Sequence, residues 1–447
     1  MSANDTVAPG LGVPVAEAAD QITAGAVGEV AELRLSDERR EALRVVLTAF
    51  LSSRAVVWAV GIATVLLFGW KPGTVARLDP DHLTSPFSQT IGNLLIAPAT
   101  RWDSVWYLSI ARTGYAHAAR TVFFPLYPGL VSFGGSFVGN SFYAVVGIAI
   151  SCGCSIAALY LLYRLVALEF DERLARNTVW IFSWLPIAMT LSAVYSESLF
   201  LLLAVGCFYA ARQGRWALAG LAGGLAAATR NGGLLLLVPL LVLYFYGPRQ
   251  DREPDREAVG FQPRFRPRGD LAWVALVPLG LLAYMVFLGV AVGNPFDPFT
   301  HQLHWGRHFI PLAGIPLGML SAGRALVAGI PGLDPSLAAH VNTIMQLRHL
   351  LEFGFLVLSM VLLRLCWKRL PLAYTAFTAI SLAMAVSVPA NSAPLKSLPR
   401  FTLVMFPLWI ALALWATERR RVGAVIAVCA PLLVLVTFTF VSWSLPP

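Results

Sequence analysis

Charge is scarce in this chain. Asp, Glu, Lys and Arg make up only 13% of its 447 residues and 57% are hydrophobic, with a mean hydropathy of +0.69. Soluble domains carry about twice that charge, so the composition excludes one and predicts an integral membrane protein. Cysteine is sparse too: Cys152, Cys154, Cys207, Cys366 and Cys429 all fall in apolar runs. Neither a disulfide framework nor a zinc site is indicated, and the C-x-C pair reads as helix packing. No repeat relates two halves of the chain, which weakens a transporter reading. The opening residues lack a basic start followed by an apolar core and a cleavage site. Residues 1–44 are therefore expected as a disordered cytoplasmic tail with a short surface helix from Ser36, and residues 45–447 as one transmembrane domain.

What is present is a series of apolar runs near spanning length. They cover 45–69, 142–165, 175–194, 197–211, 216–229, 232–246, 271–292, 347–365, 371–389, 401–416 and 423–443, about 11 spans. With the amino terminus inside, 21 Lys and Arg fall in inner loops and 10 in outer ones, the positive-inside asymmetry. Topology thus accounts for the net charge of +9, and no nucleic-acid partner is implied. The same count keeps 123–139 at the outer surface and makes 70–141 and 293–346 large outer segments. Cysteines placed at Ser104, Thr300 and Ser397 are expected to be accessible from outside, and one at Ala258 is not.

Functional residue types gather in those outer segments. RWDSVWYLSIARTGY, 101–115, followed by FFPLYPGL, 123–130, holds the carboxylate of Asp103 among Trp102, Trp106, Tyr107, Tyr115 and Tyr127. Aromatic side chains with polar tips suit a membrane–water boundary. Asp103 could serve chemistry there, or simply cap a helix. YSES, 195–198, puts Glu197 where an unpaired acid is costly, with Ser196 as an alternative helix cap. Arg230 in ATRNGG calls for a partner at membrane depth, either Glu197 or a lipid phosphate. GNPFDPFTHQLHWGRH, 293–308, spaces His301, His304 and His308 as a metal face would, but its one carboxylate, Asp297, sits in a Pro-flanked turn. No metal is expected. Lys396 and Arg400 in NSAPLKSLPRF stand at a span edge, where snorkelling alone would explain them.

Arg-Trp-Asp-Ser, Trp-Tyr-Leu and Phe-Phe-Pro-Leu-Tyr-Pro together resemble the first outer loop of the PIG-V type (GPI mannosyltransferase II-like) mannosyltransferases, whose members include bacterial relatives. Tyr-Ser-Glu-Ser, the His-Trp-Gly-Arg loop and the Pro-Arg of 399–400 extend the resemblance over residues 101 to about 410, although Asn294 stands where the family has Asp. The resemblance implies an all-α polytopic GT-C-like bundle with large outer-face loops. It implies an inverting glycosyltransferase of the bacterial plasma membrane, active on the outer face. A hexose, mannose by resemblance, would move from a polyprenyl-phosphate donor to a glycolipid or glycan acceptor, with no cofactor beyond that co-substrate. Asp103 would be the general base, since phosphate departs without a protein acid. Arg101, Trp102, Tyr107, Tyr127, Glu197, Arg230, His304, Trp305, Lys396 and Arg400 would bind substrate. Among these, Arg400, Lys396 and Arg230 are expected to meet the leaving phosphate, whereas Arg307, in a longer water-exposed loop, should tolerate substitution better. The competing class is a polytopic lipid or solute transporter or flippase, with Glu197 and Arg230 as gating charges.

Overall fold

The computed structural model describes residues 15–257, 262–328 and 343–445, with side chains from 37 onward at the amino-terminal end. Its helices are α1 (Val15–Phe68), α2 (Pro72–Leu78), α3 (Thr90–Ile96), α4 (Asp103–Thr113), α5 (Leu126–Val138) and α6 (Tyr143–Glu169). They continue as α7 (Glu172–Ser183), α8 (Glu197–Arg212), α9 (Trp216–Thr229), α10 (Leu237–Tyr246), α11 (Leu276–Ala291) and α12 (Asp297–Thr300). The last group is α13 (Gly314–Ala328), α14 (Thr343–Arg369), α15 (Leu372–Val386), α16 (Leu398–Leu403), α17 (Phe406–Glu418) and α18 (Val422–Val441). No strand occurs among the described residues, only one isolated bridge between Arg307 and Ala390. The protein is an all-α polytopic membrane protein.

Ten of the eleven predicted spans fall on helix, 401–416 across two short ones, and only the first half of 175–194 does. Five are long and apolar enough to cross a bilayer unaided: Asp37–Phe68, Asn140–Glu169, Gly269–Ala291, Ile344–Arg369 and Val422–Val441. The others are shorter, and their neighbours shield them. Gly220 and Gly224 let α9 approach the 269–291 helix so closely that a Cβ at either would sit 2.0 Å from the Trp273 carbonyl oxygen or 2.6 Å from that of Leu276. Small residues at such a contact are how helices associate where no hydrophobic force separates protein from lipid.

Two expectations change. The helix assigned to start at Ser36 runs continuously from Val15, so the described part of the expected tail is helical; residues 1–14 lie outside the described residues. The run 175–194 is not one helix either. α7 stops at Ser183, and the chain reaches α8 through an irregular stretch, buried from Leu185 onward, with a single 3-10 turn at Ala188–Leu191. Backbone inside a membrane needs hydrogen-bond partners. Arg54 of α1 supplies them, donating to the carbonyls of Ala188 and Ser183 and to Ser192 Oγ, while Ser155 Oγ donates to Leu191 O at 2.6 Å. This break sets Tyr195 and Glu197 at the head of α8, within the bundle.

The two ends of the bundle differ in charge chemistry. At one end Arg212 pairs with Glu169, which also accepts from Tyr374 Oη at 2.7 Å, and Arg369 pairs with Glu418. Asp103, Glu197, Arg230 and Arg400 lie at the other. Accessibility revises the labelling sites: Ser104 and Ser397 are buried and Ala258 lies outside the described residues, whereas Ser88, Thr300 and Glu257 are exposed. Cysteines at Ser88 and Thr300 are expected to react with an impermeant maleimide on intact cells, and one at Glu257 only after lysis. Labelling of the Glu257 variant in intact cells would invert the topology.

Candidate active site

A cavity of ≈ 570 Å³ opens at the Asp103 end. Polar groups line one part: Asp103, Arg230, Asn231, Gln302, Arg307, Lys396 and Arg400. Apolar groups line another: Phe200, Leu235, Phe377, Met384, Val404 and Met405.

Asp103 is the first residue of α4, yet its carboxylate does not cap that helix. Trp102 precedes it at φ 55°, ψ −115°, a conformation that costs an L residue of order 1–3 kcal/mol. Contacts from α18 and the residues just past it hold Trp102 there: Nε1 donates to Phe440 O at 3.1 Å, and the ring packs 5.5 Å from that of Trp443. The Asp103 amide donates to Tyr195 Oη at 3.2 Å, and Tyr195 Oη donates to Arg101 O at 3.3 Å. Oδ2 is paired with Arg400 Nη1. Oδ1 has no partner among the described residues, and the side chain is 25% exposed towards the cavity. One carboxylate oxygen is thus anchored and the other free.

Arg400 continues the pairing, its Nε lying 3.1 Å from Glu197 Oε1, which in turn lies 2.7 Å from Arg230 Nη1. Both are ion pairs without hydrogen-bond alignment: Arg400 Nε and Arg230 Nη1 are buried donors with no acceptor, and Glu197 Oε2 is buried and unpartnered. Asp103, Arg400, Glu197 and Arg230 alternate in sign and cancel. Arg307 and Lys396 do not cancel. Arg307 donates Nη2 to Lys396 O at 3.1 Å and meets no carboxylate, and the Lys396 ammonium has no partner among the described residues. Burial, with the charge of Arg400 adding to it, pulls the Arg307 pKa down to about 10. Burial and the charges of Arg348 and Arg307 likewise hold Lys396 below the ordinary lysine range. One ring gathers these cations: the guanidinium carbons of Arg230, Arg307 and Arg400 lie 5.5, 5.5 and 5.7 Å from the centroid of Phe401.

The elements explain this convergence. Ser397, at φ 67°, turns the chain into α16 and directs Lys396 and Arg400 to one cavity. At the end of α9, Arg230 is extended, and the following turn packs so tightly that a Cβ on Gly233 would meet the Ala226 carbonyl carbon at 2.2 Å. Arg307 is strapped down, with Asn391 N donating to Gly306 O at 2.9 Å and Ile310 N to Ser387 O at 2.8 Å. The expectation of a water-exposed Arg307 is therefore overturned. Its signal was a pairing between 306–310 and 387–391, about 80 residues apart in the chain, which neither segment announces alone.

Of the residues singled out from sequence, Asp103, Tyr107, Arg230, Trp305, Lys396 and Arg400 line the cavity, and Glu197 stands behind the two arginines it pairs with. Four do not reach it. Arg101 is buried against Trp443 and donates to Thr100 O, and Trp102 anchors to α18 as described. Tyr127 is fully buried, its Oη 2.8 Å from Ser151 Oγ. His304 is exposed on a 3-10 helix, His301–Trp305, that ends at Gly306, so the α-helical spacing expected of His301, His304 and His308 is lost. Among the described residues no three His, Cys, Asp or Glu side chains gather as a ligand set. The cap readings also fail: Ser196 Oγ is 2.7 Å from Tyr107 Oη and makes no cap bond to α8.

Residues 43–242, which carry Asp103, Glu197 and Arg230, match the sequence model of the mannosyltransferase (PIG-V) family. Over those residues, a little under half of the chain, the sequence is similar to the PIG-V family. A curated relative, GPI mannosyltransferase 2 of Yarrowia lipolytica, is 29% identical over 150 residues, which are 33% of this chain and 41% of that protein. Among solved structures, an oligosaccharyltransferase of Archaeoglobus fulgidus superposes with a TM-score of 0.41 at 14% identity, covering 89% of this chain and 56% of that one. The matches thus span about half the length of these proteins or less. The PIG-V match ends before Arg307, Lys396 and Arg400, so for those residues the cavity itself is the evidence.

Proposed function

We propose that this protein is a PIG-V-like, GT-C type membrane glycosyltransferase that moves mannose from a polyprenyl phosphate to a glycolipid or glycan acceptor. The observation that carries this reading is a carboxylate with one free oxygen, facing a cavity that holds two uncompensated cations and an apolar flank. In this reading residues 45–447 form the catalytic domain of a bacterial plasma-membrane enzyme, with its amino terminus inside and its site on the outer face.

Asp103 Oδ1 takes the proton of the acceptor hydroxyl as that oxygen attacks the anomeric carbon. The bond from that carbon to the phosphate oxygen breaks, the electron pair leaves with the phosphate, and the configuration inverts. A single carboxylate suffices, because phosphate departs unprotonated, unlike the alcohol in glycoside hydrolysis. Arg400 and the Tyr195 hydroxyl fix Asp103 on its other oxygen and its amide. Arg307 and Lys396, lacking counter-ions among the described residues, meet the charge that develops on the phosphate, with Arg230 beside them. The apolar flank from Phe200 to Met405 takes the start of the prenyl chain. No metal is required by this scheme, because side-chain cations supply the charge.

Purified protein in detergent, with no compartments to separate, is expected to transfer label from polyprenyl-phosphate mannose but not from a nucleotide-mannose. Transfer from the nucleotide sugar alone would contradict the donor assignment, and an absence of any turnover would favour transport. The lowered Lys396 pKa gives a pH test. Its positive charge is lost as pH rises through a value below that of ordinary lysine, so donor affinity is expected to fall on the alkaline side. Lys396→Arg should move that fall to higher pH, and an unmoved profile would remove Lys396 from the phosphate site.

A further inference from the structure

A second cavity, of ≈ 70 Å³, is lined by Pro399, the neighbour in sequence of Arg400 in the first. Its volume is several times the roughly 10–15 Å³ that one bound water needs. Arg348 and Glu352 of α14 stand in it, 7% and 5% exposed. Arg348 Nε donates to Glu352 Oε1 at 2.8 Å. That bond leaves a donor and an acceptor over: Arg348 Nη2 is buried without a partner, and Glu352 Oε2 has none among the described residues. The remaining wall is apolar, with Phe355 from α14 and Leu432 and Leu435 from α18. A buried polar donor without a partner is costly, and so is half an ion pair. The pair is neutral overall, so a simple anion gains little from it, and an apolar ligand gains nothing.

We propose that this cavity binds the headgroup of a zwitterionic aminophospholipid, with its phosphate on Arg348 and its primary ammonium on Glu352. The chemistry is complementary at both ends: a guanidinium donates in a fork to phosphate oxygens, and an ammonium carries the N–H donors a free carboxylate oxygen accepts. The acyl chains would leave along Leu432 and Leu435 towards the lipid-facing side of α18, where Val428 and Val434 are exposed. The site depends on neither the donor nor the transfer chemistry proposed above, and it lies one residue from Arg400 through Pro399.

The test is lipid retention. Protein equilibrated with mixed micelles of phosphatidylethanolamine, phosphatidylcholine and phosphatidylglycerol is delipidated stepwise, and the bound lipid is counted by native mass spectrometry. Phosphatidylethanolamine is expected to be kept about tenfold better than phosphatidylcholine, which has no N–H to donate, the difference one charge-assisted hydrogen bond makes. Glu352→Gln should erase that preference, and Arg348→Gln should weaken retention of both lipids. Leu435→Phe fills the slot without touching the charges and should lower retention even if a charge variant fails to fold. Equal retention of the three lipids, or preference for phosphatidylglycerol, would overturn the proposal. Because the readout is binding, it stands or falls apart from glycosyl transfer.

Discussion

Asp103→Asn is expected to leave the protein folded and to lower turnover by roughly two to four orders of magnitude, the range a general base contributes. Asn is nearly isosteric, and the Asp103 amide keeps its bond to Tyr195 Oη. What the change removes is the basic oxygen Oδ1 and the charge opposite Arg400. Thermal stability separates the two effects. Asp103 makes no cap bond to α4, so the variant loses no helix cap, and one partly exposed pair is worth little to folding. Near-normal turnover in a stable variant would make Asp103 an anchor for Arg400 only.

The second large effect is expected at Arg307, the residue whose place the sequence hid. Arg307→Ala should lower turnover by about 10² to 10³, as removal of one preorganised donor to developing charge does. Arg307→Lys should recover little. The guanidinium reaches Lys396 O through Nη2 at 3.1 Å while its carbon stays 5.5 Å from the Phe401 centroid, and a compact ammonium cannot hold both contacts and face phosphate. Donor KM should rise along with the fall in turnover, since a lipid phosphate carries charge before transfer as well as during it. Wild-type kinetics in both variants would move the phosphate towards Arg230 and Arg400.

The contrast between these residues shows what was legible. Asp103, Glu197 and Arg230 could be read because charge inside apolar sequence stands out and because short motifs surround them. The apolar helices were legible for the same reason, five of them long and apolar enough to cross a bilayer. The break at 184–196 was not, because its composition is as apolar as that of a helix; what allows it is Arg54, more than a hundred residues earlier, bonding its carbonyls. Arg101 and Trp102 looked like substrate ligands because they flank Asp103. Their partners, Val441, Phe440 and Trp443, lie at the end of α18 and could not be inferred from the loop. Arg307 was hidden by the same kind of distance, and Tyr127 by burial that an aromatic-rich loop does not disclose.

The measurement that bears most directly on the central claim is the anomeric configuration of the product. Purified protein is given a polyprenyl-phosphate mannose of defined configuration, and the new glycosidic bond is assigned by NMR. A single displacement with Asp103 as the one carboxylate predicts transfer with complete inversion. A product that retains the donor's configuration would require a second nucleophile on the opposite face and would contradict the account.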